Sequence, residues 1–318
     1  MQTQYKASVI VVTYNPSEKK LRETLRSILL QKNITYQIVI ADDGSKTPCF
    51  EAAEALFAQW GFADYVIVAN PTNRGTVYNV LSGVERSSGE YVKVISPGDM
   101  LGGENVLCQW IEAMEGARAQ LSFSDAVCYC TENDTPVLTQ GKAHPQVVEC
   151  YLGKDTDRIR WNYLIFDDLM LGAAVVCRRE ILQDYLQQIA GKVVYAEDNA
   201  YRLMAYDGIT MFYYPEEAVI YELGTGISTS NNDVWKERLV RDWNACTRLV
   251  RERCTGKNPL DVAIWISAHG SLCKKAVKTW RILTDKEMRR HWKSGRQNRL
   301  TGRVLPGAFL GQIIKTEE

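Results

Sequence analysis

The chain has 318 residues, in which 38 lysines and arginines balance 38 aspartates and glutamates. Hydrophobic residues make up 46% and charged residues 24%, which excludes collagen-like and disordered chains and allows a proper core. The zero formal charge conceals an asymmetry. From Trp235 onward there are 19 basic and 8 acidic residues, a net +11, leaving 19 and 30, a net −11, for the preceding part. The two parts are expected to do different work. Nine cysteines are scattered along the chain. Cys128 and Cys130 are spaced for neither a zinc site nor a redox motif, so reduced thiols in a cytoplasmic protein are expected. The first residues run straight into a strand pattern without a signal peptide, and no apolar stretch approaches bilayer-spanning length.

Ala7 to Thr13 is β-branched through its middle and reads as a buried strand. Tyr14-Asn15-Pro16-Ser17 ends it, with Ser17 placed to cap the following helix. In that helix Leu21, Leu25, Ile28 and Leu29 share a face, while Lys19, Lys20, Arg22 and Arg26 lie elsewhere, as in a helix packed on a sheet. Gln37 to Ala41 is the second strand, closed by Asp42-Asp43-Gly44-Ser45. A helix around 50–60, a strand at 65–69, a turn at Asn73-Arg74-Gly75, a helix to about Ser87 and a strand from Tyr91 follow. Strand and helix alternate at the period of a βαβ unit, which predicts a mostly parallel sheet with right-handed crossovers.

Ser96-Pro97-Gly98 breaks the strand that begins at Tyr91, because proline lacks a donor and glycine admits positive φ. Asp99 is left just past the strand's carboxyl end, where open α/β sheets hold their ligands. Thr13, Tyr14, Asp42, Asp43 and Asp99 all follow strands directly and should converge on one cleft. Carboxylates there suit a hydroxyl-rich or nucleoside ligand, with a divalent cation bridging to phosphate.

Ser8 to Asn15, Asp42-Asp43-Gly44-Ser45, Asn73-Arg74-Gly75 with Asn79, and Gly89-Glu90-Tyr91 leading to Asp99 together resemble the family 2 glycosyltransferases of GT-A fold. The resemblance covers roughly the first 125 residues in order and spacing. It implies a nucleotide-sugar donor, with Thr13 and Tyr14 along the base and ribose, Asp43 bonding the base (commonly uracil) and Asn79 beside the donor. For Thr13 and Asn79 a capping or turn role is the alternative, and for Tyr14 core packing. Asp99 matches the last aspartate of the DxD-type motif that holds Mn²⁺ or Mg²⁺. The earlier places of that motif are Ser96, Pro97 and Gly98, a departure that lowers the expected metal affinity and leaves room for a binding protein without chemistry.

Further on, a helix is expected between Gly103 and Gly116, a strand from Gln120 to Cys130, and a loop from Thr131 to Pro145. The run from Trp161 to Met170 mixes aromatics with acids, and Trp161 and Tyr163 are candidate sugar contacts if they do not belong to the core. Glu197-Asp198 opens an amphipathic helix. Acids there favour the helix dipole, but the pair also resembles the family's ED motif, which implies that Asp198 is the general base, with Glu197 on the acceptor side. Pro215 to Glu222 reads as a strand, and Gly224 to Thr229 resembles the family's closing loop. A basic residue often stands where this chain has Glu222, and a linker is the other reading of the glycines.

From about Trp235 the text is helical and basic. Trp235, Leu239, Trp243 and Cys246 share one helical face. Leu272, Ala276, Trp280 and Leu283 share another, amid Lys274, Lys275, Lys278, Arg281, Arg289, Arg290 and Lys293. Such a stretch either packs its apolar stripe on the first domain or rests on an anionic membrane. No nucleic-acid motif accompanies the charge. The expectation is an α/β GT-A domain over residues 1–230 and a basic helical extension over 231–318. The expected function is an inverting glycosyltransferase using a nucleotide-sugar donor and a saccharide or lipid-linked acceptor in surface polysaccharide synthesis. A non-catalytic nucleotide-sugar or saccharide-binding scaffold is the alternative.

Overall fold

The computed structural model describes residues 5–132, 135–139, 144–224, 226, 233–286 and 288–289. Strand β1 (Tyr5–Thr13), helix α1 (Glu18–Leu29), β2 (Tyr36–Asp42), α2 (Phe50–Gln59), β3 (Tyr65–Ala69), α3 (Thr76–Arg86) and β4 (Gly89–Ile95) alternate as the pattern predicts. They are followed by β5 (Met100–Leu101), α4 (Val106–Gly116), β6 (Leu121–Glu132), β7 (Thr135–Thr139), α5 (Glu149–Leu152) and α6 (Thr156–Trp161). Then come β8 (Val175–Arg178), α7 (Arg179–Ile189), α8 (Ala200–Asp207) and β9 (Met211–Glu222), and finally α9 (Asp233–Arg253), α10 (Pro259–Ser267) and α11 (Ser271–Thr284).

The described strands form one sheet in the order β3-β2-β1-β4-β8-β6-β9-β5, with β7 on β6. β3, β2, β1 and β4 pair in parallel, whereas β8 runs antiparallel to both β4 and β6. Burial on both faces explains the continuous apolar runs. Val9, Val11, Ile38, Ile40 and Tyr91 face the layer containing α1, α2 and α4. Their neighbours Ile10, Val39, Ala41 and Val92 face α3 and α7, the two-residue alternation of a pleated strand.

Two local expectations change. Ser17 occupies the N-cap of α1 without a side-chain cap bond; its carbonyl accepts the Leu21 amide at 2.9 Å instead. The expected loop after Cys130 contains β7, paired with β6 from Cys128 to Glu132. Pro136 signalled a turn, but it is tolerated because among the described strands β7 pairs with β6 alone. Of the expected Gly224–Thr229 loop only Gly224 and Gly226 are described, and Arg290 and Lys293 likewise lie outside the described residues.

The C-terminal helices pack on the α/β layers. α9 buries Ala245, Cys246, Leu249 and Val250, and its Asp242, 4% exposed, accepts the amides of Val194, Tyr195 and Ala196 at 3.1, 2.6 and 3.0 Å. α11 buries Val277 but not the apolar stripe read from its sequence. Lys274 and Lys278 turn inward to Asp167 at 2.7 and 3.1 Å, while Leu272, Trp280 and Leu283 face solvent. Each amide left unpaired in the interior costs about 1–3 kcal/mol. Asp242→Ala is therefore expected to lower the unfolding free energy by at least about 2 kcal/mol, read from the urea midpoint, with the loss localised by faster amide exchange at residues 194–196.

Candidate active site

The parallel strands end at one edge, and a cleft of about 1040 Å³ lies over it. Thr13, Tyr14, Asp43, Asn79, Asp99, Glu197 and Asp198 all line this cleft. Convergence follows from topology, because parallel strands present all their carboxyl ends on the same side.

The loops at this edge are stapled by carboxylates. Asp42 accepts the Ser45 amide at 2.7 Å and the Thr13 hydroxyl at 2.8 Å. Asp43, buried, accepts the amides of Arg74 and Gly75 at 2.9 and 2.8 Å, so the loops after β2 and β3 form one surface. The Asn79 amide group donates to the Thr13 carbonyl at 3.3 Å and accepts from Asn70 at 3.2 Å. Thr13 and Asn79 thus have the fastening roles that were their alternatives, while also bordering the cleft. Tyr14 is 55% exposed, which rules out core packing for its ring. Gly75, at φ +91°, admits no side chain, since a Cβ there would fall 2.4 Å from Val194 Cγ1. This close approach joins the β3–α3 loop to the segment that leads into Glu197.

Glu197 and Asp198 occupy a 3-10 turn ahead of α8. They stand partly open to solvent but deep in the concavity. Burial, with Asp198 as a like-charged neighbour, pushes the Glu197 carboxyl up to about 8. Burial also raises Asp198, opposed by the nearby Arg202 guanidinium. Arg202 had no signal in the sequence beyond its place in the helix. It is buried, lies 3.7 Å over the Trp243 ring and bonds the Trp243 carbonyl. The pair therefore holds a proton at pH values where ordinary carboxyls are ionised.

Trp161 and Tyr163 do not face the cleft. They are 2% and 1% exposed, inside the core cluster, with the Trp161 ring 6.2 Å from Trp280. A π-helical turn at Asn162–Phe166, all of whose residues are buried, carries this apolar run inward. The aromatics that do line the cleft are Tyr14, Tyr195, Tyr221, Trp235 and Trp243, two of them from α9. Tyr195 and Trp235 pack edge to face at 5.0 Å.

The donor atoms at the end of β4 do not fit a divalent ion of the kind the resemblance implies. The Asp99 carboxylate is 6% exposed, and its Oδ1 accepts the Glu222 amide at 3.0 Å. Burial pushes Asp99 up to about 7, while the fully buried Lys93 behind it is pushed down to about 7, each partly offset by the other's charge. The second carboxylate nearby, Glu222, is already bound by the Lys20 ammonium, 2.7 Å from each oxygen. Among the described residues no group of three or more His, Cys, Asp or Glu could hold a metal ion. Hard divalent cations take several exposed oxygen ligands, and here one Asp99 oxygen is taken by the Glu222 amide and both Glu222 oxygens by Lys20.

The sequence profile described as Glycosyl transferase family 2 matches residues 8–186. No curated protein sequence matches the chain. Among solved structures, S. aureus TarS 1-349 in complex with UDP is 15% identical, with a TM-score of 0.55 over 82% of this chain and 70% of that one. Mannosyltransferase PcManGT from Pyrobaculum calidifontis, in complex with GDP-Man and Mn²⁺, is also 15% identical, with a TM-score of 0.54 over 90% of this chain and 82% of that one. At such identities the structures speak for the fold, and the profile, matching more than half of the chain, speaks for the family: this protein belongs to glycosyl transferase family 2 and has the GT-A fold.

Proposed function

We propose that the protein is an inverting glycosyltransferase that moves a sugar from a nucleotide donor, UDP-linked on the sequence resemblance, to a saccharide or lipid-linked saccharide. Surface polysaccharide assembly is the proposed setting. The observation that carries this reading is the one cleft shared by Asp43, Asn79 and the Glu197–Asp198 pair. In this reading the nucleoside lies along Thr13, Tyr14, Asp43 and Asn79. The exposed Tyr14 ring supplies a face for stacking. Asp43 keeps acceptor capacity beyond its two amides, because each carboxylate oxygen carries two lone pairs. The acceptor lies toward Tyr195 and Trp235, whose apolar faces suit a sugar ring.

Asp198 then takes the proton from the acceptor hydroxyl as that oxygen bonds to the anomeric carbon. The bond from that carbon to the diphosphate oxygen breaks, and the nucleoside diphosphate leaves with the electron pair. A single displacement from the opposite face inverts the configuration. A second reading, a binding protein without turnover, is favoured by one observation, the replacement of motif carboxylates by Ser96, Pro97 and Gly98.

Nucleotide release from a panel of UDP-, GDP- and dTDP-sugars decides between them. Asp198→Asn is expected to lower turnover by about 10²–10⁴-fold, the usual contribution of a positioned base, while donor affinity stays unchanged. Donor binding without release, with saccharide or lipid-linked acceptors present, would instead support the binding protein.

A base must be ionised, so the rate is expected to fall as pH falls through the raised Asp198 value, placing the acid limb above the ordinary 3.8 of an aspartate. Glu197 has a linked effect on stability. Its carboxyl rises from 4.5 unfolded to about 8 folded, so the native state binds the extra proton. That contribution is present below 4.5 and lost as pH rises through about 8. Glu197→Gln is expected to remove this decline from the denaturant midpoint measured against pH.

No described helix is long and apolar enough to cross a membrane. The exposed Trp265, Ile266, Leu272, Trp280 and Leu283, with the net +11 from Trp235 onward, support peripheral contact with an anionic bilayer. Leu272→Asp with Leu283→Asp is expected to weaken sedimentation with phosphatidylserine vesicles by at least about tenfold, since burying one leucine contributes ~1.5–3 kcal/mol. Equal binding by the double variant would remove the membrane from this reading.

A further inference from the structure

The turn after β4 is held against α1 by a row of side chains one helical turn apart. The Gly98 amide donates to Thr24 Oγ1 at 3.0 Å, the Thr24 hydroxyl donates to the Asp99 carbonyl at 2.7 Å, and the Leu101 amide donates to Ser27 Oγ at 3.1 Å. Lys20 stands on the same face, one turn nearer the cleft. It reaches over the turn to Glu222, which arrives at the end of β9.

Glu222 takes the space that a side chain at position 98 would need. A Cβ on Gly98, at φ +104°, would fall 2.3 Å from Glu222 Oε2. The carboxylate missing from the β4 turn is thus supplied in space by another strand. It is 3% exposed, receives the Thr131 hydroxyl at 3.1 Å and holds the Lys20 ammonium through both oxygens. Lys20, Ser96, Pro97, Asp99 and Glu222 all line the cleft. An ammonium has three donors. Among the described residues two of them meet Glu222, which leaves a third for an anion, and the Lys20 side chain is 29% exposed.

We propose that Lys20, clamped on Glu222 over Gly98, stands in for the divalent cation and contacts the diphosphate of the bound nucleotide, so that donor binding needs no divalent metal. The proposal rests on the nucleotide-sugar reading above. A fixed positive charge on a helix adjoining the strand ends attracts a diphosphate as a bound ion does, more weakly because it is a single charge already paired with Glu222. It does so without the exposed carboxylates that an ion requires. The buried Asp99 is then a staple for the β9 end rather than a metal ligand.

The test is calorimetric titration of UDP, GDP, UMP and uridine into the full chain, in chelator and in Mn²⁺, for wild type, Lys20→Ala and Lys20→Arg. Wild type is expected to bind the diphosphate equally in both buffers. A charge-assisted hydrogen bond contributes ~1.5–3 kcal/mol, so Lys20→Ala is expected to weaken diphosphate binding by about tenfold or more. Uridine affinity should not change, and Lys20→Arg should recover most of the loss. Tightening of wild-type UDP or GDP binding by about tenfold in Mn²⁺ would overturn the proposal, as would a Lys20→Ala variant that binds them normally. Uridine binding that persists in either case keeps the nucleotide-sugar reading alive. If none of the four probes binds in either buffer, that reading fails and takes the proposal with it.

Discussion

Buried carboxylates bonded to backbone amides hold this structure together at its functional edge. Asp42 ties the turn at Ser45, Asp43 the amides of Arg74 and Gly75, and Asp99 the amide of Glu222. Asp168 does the same for Gln146 and Val147, and Asp242 for Val194 to Ala196. Loops cannot satisfy their own amides as helices and ladders do, and an unpaired amide in the interior is costly. A carboxylate offers several lone pairs in a small volume and bonds amides more strongly than a neutral acceptor does. The loops of the cleft are therefore rigid without regular structure, as a site needs if it is to meet its ligand pre-arranged.

The same bonds make the C-terminal helices part of the cleft rather than an appendage. Asp242 on α9 fixes the segment before Glu197, and the side chains of Trp235 and Trp243 come with it as cleft wall. Arg202 then links α8 to α9 beneath Asp198, through the Trp243 carbonyl and the Thr247 hydroxyl. α9 thus contacts the surroundings of the acid pair at two points, through Asp242 and through Arg202. On α11, Lys274 and Lys278 satisfy Asp167 while Val277 is buried and Leu272 and Leu283 are left outside.

Charge in the cleft is balanced locally. Asp99 faces Lys93 in the interior, Glu222 faces Lys20 at the mouth, and Asp198 faces Arg202. Glu197 is raised first by burial and then by its like-charged neighbour Asp198. A low-dielectric site tolerates such a pair when one proton is shared between the two groups.

Much of the fold was legible because it is periodic. The apolar runs of β1, β2 and β4 and the stripe of α1 are local patterns, and a parallel sheet follows from their alternation. Thr13, Asp43 and Asp99 could be expected at one edge because they stand at strand ends, whereas Asn79 and Asp198 are expected there from the family resemblance. The aromatic run at Trp161 and Tyr163 misled, since a dense apolar segment carries no period that separates a cleft wall from a core. The reach of Lys20 to Glu222 spans 202 positions, and no local pattern encodes which distant charge a lysine will meet. Strands β1 to β4, the helices between them and the loops that share an edge follow from local sequence, because hydrophobic periodicity and turn chemistry act between near neighbours. Which carboxylate covers Gly98, which cation it holds and which aromatics face the cleft depend on how separate elements pack, and so emerge only in the folded chain.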